Sequence, residues 1–185
     1  MGVLSVRLSG PFARVPELIA FFTETNPRVD RERLNEIART YLDEAAAEGI
    51  NSDIAFCQMV HETDYLRFGG SARAWQNNFC GLGVTGGRGL SFPSARIGVR
   101  AHIQHLKAYA DAEPLHQKCV DPRFALVPRA RASFVEDLAG TWATDPQYSV
   151  KLKRILAALE THLDRPSATA RATGREGTPR GQIVN

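Results

Sequence analysis

The chain has 185 residues, 43% of them hydrophobic and 23% charged, with a net charge of +3. That is enough for one domain of about 150–165 residues with a real core, plus a tail, and the composition is ordinary for a globular protein. No apolar run approaches the roughly 18–20 residues of a membrane span, and the start Met1-Gly-Val-Leu-Ser has no basic, strongly apolar leader.

Helices dominate the chain from the start. Residues 15–25 read as a short helix with Pro16 in its first turn, broken by Asn26-Pro27. Asp30 then caps a long amphipathic helix in which Leu34, Ile37, Ala38, Tyr41, Leu42 and Ala45 follow the 3.6-residue period, with Gly49 at its end. The next helix, capped by Asn51 or Ser52, is expected to reach Leu66 and to stop at Gly69-Gly70. Ala55, Met59, Glu62 and Leu66 would then share one stripe. A carboxylate in such a stripe is partly desolvated, which disfavours its ionised form and suits it to general-acid work; the plainer role is a helix-end partner for an Arg.

Residues 68–93 change character, with seven glycines among Asn, Ser and aromatic residues. They predict a loop-rich lobe with a short hairpin around Gly86-Gly87. Helices are expected again over 94–111, 134–142 and 148–163, the last two split by Thr144-Asp145-Pro146. Residues 165–185 hold four arginines against Glu176 alone, so this tail carries the chain's entire net charge and the body sums to zero. With almost no apolar periodicity the tail is expected to be disordered. A neutral body argues against a phosphate-binding face, so no nucleic-acid partner is expected. The division is an extension with a short helix over 1–29, a folded body over 30–164 and a basic tail over 165–185.

Several chemistries fail on spacing. His61-Glu62 lacks the second His at i+4, where Tyr65 stands, so a zinc-protease motif is absent. His102 and His105 lie at i, i+3 with no evident third ligand, and core or surface histidines are the simpler reading. No metal or organic cofactor is implied. Cys57, Cys80 and Cys119 are an odd number without metal-type pairing and read as buried thiols. Cys80 with His102 would make a cysteine amidase, but the Gly-rich sequence after Cys80 offers no helix N-terminus to activate it.

Saccharide chemistry fits better. Trp75-Gln-Asn-Asn-Phe79 and Trp142-Ala-Thr-Asp-Pro-Gln-Tyr148 combine flat apolar faces, which stack on sugar CH groups, with amides and hydroxyls for sugar hydroxyls. Anchoring the loop and filling the core are the alternatives for these aromatics.

The order of the Glu62 helix, then Asn77-Asn-Phe-Cys-Gly-Leu82, then Trp142-Ala-Thr-Asp-Pro-Gln-Tyr148 resembles the bacterial glucosaminidase family of peptidoglycan hydrolases, over about residues 34–159. The resemblance implies a mostly α, lysozyme-like domain with a small glycine-rich loop or β-hairpin lobe beside a cleft. It makes Glu62 the catalytic acid and places Asn77, Asn78, Phe79, Trp142, Asp145 and Tyr148 at the saccharide groove. Trp142 stands where many members have an active-site Tyr, and Gln58 and Glu62 keep the family's i, i+4 spacing. The implied partner is the peptidoglycan glycan strand, cut by a monomer at the cell wall, in the periplasm or outside the cell. A second carboxylate does not stand out: Asp64 falls on another helix face and Asp145 in a turn. Assistance by the sugar's own acetamido group would remove that need. The rivals are a wall-binding module that keeps the groove without efficient catalysis, and the Cys80 amidase.

Overall fold

The computed structural model describes residues 13–69, 72–84 and 89–163. Five α-helices carry these residues: α1 (Val15–Thr25), α2 (Arg31–Glu48), α3 (Ser52–Thr63), α4 (Ala95–Ala110) and α5 (Tyr148–Leu163). The mostly helical fold expected from the sequence is what forms. No β-strand occurs among the described residues; one isolated bridge joins Ala139 and Ala143. The expected hairpin at Gly86-Gly87, the first twelve residues and the basic tail lie outside the described residues.

The helix starts follow their caps. Asp30 accepts the backbone N–H groups of Glu32 and Arg33, and Asn51, rather than Ser52, accepts those of Asp53 and Ile54. Ser94 caps α4 through Ile97. Gly49 closes α2 in the left-handed region at φ 72°, a conformation free of cost only for glycine. α1 is not an appended segment: its Leu18, Phe21 and Phe22 are buried in the main core with α2, α3 and α5.

Two helices end earlier than their sequences suggest. α3 stops at Thr63, and Asp64, Tyr65, Leu66 and Phe68 all take left-handed backbone with φ between 46° and 59°. Each such residue costs on the order of 1 kcal/mol. The turn is held because Leu66 N–H donates to the Thr63 hydroxyl, Phe68 N–H donates to the Thr63 carbonyl, and the Tyr65 ring packs edge-on to Phe22 at 5.3 Å. Gly69-Gly70 therefore does not stop this helix, and Leu66 leaves the stripe of Glu62. The stretch 134–142 forms only a 3₁₀ turn, Val135–Leu138. After it Gly140 adopts φ 82° and its N–H donates to Ala143 O at 2.7 Å, turning Trp142 inward on a loop.

α2 and α4 pack side by side, clamped by a carboxylate. Glu44, 1% exposed, accepts from Arg96 and Arg100 of α4 and from Gln117. Burial pushes its carboxyl upward, and the bonds from Arg100, Gln117 and Arg96 outweigh that to hold it low. Glu48, one turn on, accepts the backbone N–H groups of His116 and Gln117. The connection after α4 is thus pinned to α2 through polar groups that would otherwise be orphaned.

The glycine-rich lobe seats on α4 through backbone contact. A Cβ placed on Gly98 would stand 1.8 Å from the carbonyl oxygen of Asn77, so no side chain fits there. Gly98→Ala is expected to destabilise the protein by about 1–3 kcal/mol and to loosen the lobe. Thermal melts with limited proteolysis over residues 72–92 check this; an unchanged melting temperature and cleavage pattern would mean the lobe is not seated as described.

Candidate active site

α3 emerges from the core only at its last turn. Every residue from Ser52 to Val60 is buried, while His61 and Glu62 are half-exposed. A cleft of about 320 Å³ opens there, lined by Glu62, Phe68, Gly69 and Ala72, by Asn78, Cys80, Gly81 and Val84 of the lobe, and by Trp142 and Ala143. Glu62 is the one carboxylate among these lining residues.

Glu62 Oε1 accepts from the Tyr148 hydroxyl at 2.7 Å and from the Trp142 indole Nε1 at 3.3 Å. Tyr148 opens α5, and its hydroxyl also accepts from the Gln58 side-chain amide at 2.9 Å. Burial, followed by the Glu62 charge, raises the Tyr148 pKa, so the phenol remains a donor. Trp142 packs against the rings of His105 at 5.2 Å and Tyr109 at 5.6 Å. It touches both the main core and a smaller cluster of Cys80, Leu82, Phe92 and Ala101.

The other expected site residues divide. Asn78 lines the cleft, but its amide is committed to the lobe: it donates to Leu82 O and Leu90 O and accepts from Leu82 N–H. Asn77 adopts φ 52° and donates to Phe92 O, holding the lobe's far side. Phe79 shows no groove face at all: it is 0% exposed and packs against Tyr41, because an aromatic ring gains more from the core than from a wet cleft. Asp145 accepts from Gln147 N–H and pairs with Lys151 at 2.6 Å, and the Lys151 bond holds its carboxyl low. Since Tyr148 N–H donates to Asp145 O, this residue fixes the turn that delivers Tyr148 rather than the groove itself. Trp75 is 71% exposed on the lobe and does not line the cleft. Asp64 is exposed, paired with Arg67.

Gln58 and His102, met in the sequence only as a motif position and as the partner of a rival thiol, join the site together with Tyr41, read there as a core-face position. Gln58 was within reach, since i and i+4 share a helix face. The other two needed the tertiary fold.

Thiol chemistry finds poor ground. Cys80 is 5% exposed, and burial and then the neighbouring Glu62 and Asp121 charges push its thiol well above the usual range. Cys57 is also buried, but Cys119 is exposed, against expectation, on the irregular stretch after α4. Among the described residues no group of three His, Cys, Asp or Glu side chains stands together to hold a metal. His105 instead bonds Asp121 at 2.7 Å, and His102 bonds Tyr41 and Gln58. No described helix is long and apolar enough to cross a membrane.

Burial, with His105 adding, lowers the His102 pKa to about 3. In the unfolded chain a histidine titrates near 6.5. Above about pH 6.5 both states are neutral and His102 adds no pH dependence. Between about 6.5 and 3 the unfolded chain binds a proton that the folded chain refuses, so stability falls as pH falls, by up to about 1.4 kcal/mol per unit. His102→Gln should lack this part of the slope. Denaturant titrations of both proteins from pH 7 to 4 test it, and parallel slopes would refute it.

Residues 38–161 match the glucosaminidase family, described as mannosyl-glycoprotein endo-β-N-acetylglucosaminidase. The chain is also 44% identical over 148 residues, 79% of its own length and 72% of the relative's, to a Borreliella burgdorferi protein named only as uncharacterized. No solved structure matches it.

Proposed function

This chain belongs to the glucosaminidase family, and on that premise we propose that it is a peptidoglycan hydrolase cutting the β-1,4 bond after N-acetylglucosamine, with Glu62 as general acid. The observation that carries the reading is the cleft: one carboxylate at the end of a buried helix, gripped by the Tyr148 hydroxyl and the Trp142 indole. The family description names a bond beside N-acetylglucosamine, the sugar that alternates along peptidoglycan. On this reading the protein acts as a monomer where that polymer lies, at the cell wall, in the periplasm or outside the cell.

Glu62 would pass its proton to the glycosidic oxygen as the C1–O bond breaks. Retaining glycosidases with two carboxylates keep them about 5 Å apart. Among the described residues no second carboxylate lines this cleft, and residues 70–71 and 85–88, Gly-Ser and Thr-Gly-Gly-Arg, contain none. The reading therefore assigns the attack on C1 to the carbonyl oxygen of the substrate's own acetamido group. Water then opens the resulting ring at C1 and returns a proton to Glu62.

Glu62→Gln keeps the shape and the bond from Tyr148 but has no acid proton, so hydrolysis should fall by about 100-fold or more with folding nearly unchanged. Mass spectrometry of digested peptidoglycan reads the outcome. New reducing ends on N-acetylglucosamine are expected from the wild type. Half-retained activity in Glu62→Gln would remove Glu62 from the role. Saccharide binding with no product would point to a wall-binding module, for which the lack of a second cleft carboxylate among the described residues is the favouring observation.

Cys80→Ala should leave cleavage largely intact, because a thiol beside two carboxylates and engulfed by protein forms little thiolate. Freed stem peptides from the wild type, lost in a folded Cys80→Ala variant, would instead establish the amidase.

A further inference from the structure

Behind Tyr148 a file of hydrogen bonds runs back into the core. Gln58 Nε2 donates to the Tyr148 hydroxyl at 2.9 Å, Gln58 Oε1 lies 3.0 Å from His102 Nε2, and His102 Nδ1 lies 2.8 Å from the Tyr41 hydroxyl. Gln58, His102 and Tyr41 are each 0% exposed. They come from α3, α4 and α2, so the file ties three helices to the cleft.

Such a file can in principle run either way, since amide, imidazole and hydroxyl each donate at one end and accept at the other. Its inner end decides the direction. Among the described residues the Tyr41 hydroxyl has one hydrogen-bond neighbour, His102 Nδ1. If Tyr41 donates, Nδ1 accepts, Nε2–H donates to Gln58 Oε1, Gln58 Nε2–H donates to Tyr148, and Tyr148 donates to Glu62 Oε1. The reverse order would bury the Tyr41 hydroxyl proton with no acceptor, which native interiors avoid. At the outer end Oε1 also accepts from Trp142, so both of its lone-pair directions are taken. Oε2 faces the lobe, where a Cβ on Gly81 would stand 3.6 Å away.

We propose that Tyr41, His102 and Gln58 are positioning residues whose one-way hydrogen-bond file, acting through Tyr148, keeps Oε1 of Glu62 an acceptor and assigns the acid proton to Oε2, the oxygen turned toward the lobe side of the cleft. The proposal rests on the reading of Glu62 as general acid. Burial raises the pKa of Tyr41 and Tyr148 and lowers that of His102, so each link keeps its proton count near neutrality. The file is a rail that stays fixed while Oε2 gives up and regains its proton.

The test joins two measurements. Imidazole ¹⁵N NMR of the wild type should find His102 neutral with its proton on Nε2. Tyr41→Phe keeps the buried ring and removes only the donor that sets the direction. It leaves Nδ1 without a partner in either tautomer, so the bias toward Nε2–H weakens and the Tyr148 donation is no longer fixed. It should lower kcat by about 3–10-fold with KM nearly unchanged. It should also move the alkaline limb of the kcat profile upward, because Oε1 loses a fixed donor that favours the ionised acid. A purely structural role would lower the melting temperature and leave that limb in place. An Nδ1–H tautomer or a doubly protonated ring in the wild type overturns the proposal, as does Tyr41→Phe with wild-type kcat and pH profile. The tautomer is read without substrate, so a wild type that cuts no peptidoglycan defeats the glycosidase reading separately.

Discussion

The burial of α3 is the constraint on which the rest depends. From Ser52 to Val60 every residue of this helix is buried, and α2, α4 and α5 all pack against it. Ile54, Phe56, Met59 and Val60 are each 0% exposed and contribute on the order of 1.5–3 kcal/mol apiece in removed apolar surface. A helix held from all sides can neither roll nor slide without opening that core. Its terminal carboxylate therefore inherits the rigidity of the whole body. The left-handed turn after Thr63 completes the arrangement by ending the helix one residue past Glu62 and bringing Phe68 and Gly69 round to line the cleft beside it.

A second consequence of that burial is the treatment of polar groups inside. Gln58, His102, Gln104, Glu44 and Glu48 are all nearly inaccessible, and each is spent on a definite partner. The two carboxylates clamp α2 to α4 and to the strap after α4, away from the cleft. Gln58 and His102 lie on the cleft side. The same physical demand, that a buried donor or acceptor be satisfied, builds scaffold on one side and site on the other.

Much of this was legible in the sequence because it is local. The bounds of α1 and α5, the Asp30 cap and the Gly49 stop follow from spacing and cap chemistry. The failures were of tertiary origin. Gly69-Gly70 looked like the stop for α3, yet the Thr63 hydroxyl and the Tyr65 ring imposed an earlier one that no propensity encodes. Residues 134–142 carry a helix-like pattern, but Gly140 and the pull of Trp142 into the space between two apolar clusters turn them into a loop. At the site, Glu62, Tyr148 and Trp142 converge as their motifs suggest. Phe79 and Asp145 belong to the same motifs yet serve core and turn, a distinction that motif spacing cannot carry.

The chain has two tryptophans, and the fold has sorted them into opposite environments. Trp75 stands 71% exposed on the lobe, while the Trp142 indole points its N–H at Glu62 and packs against His105 and Tyr109. Indole emission follows the local field, so the charge on one carboxylate and the filling of one cleft are written into the spectrum of a single residue. Iodide, which reaches exposed rings, should quench Trp75 more than the half-buried Trp142. The protein thus carries its own optical gauge of the cleft, needing no dye and no label.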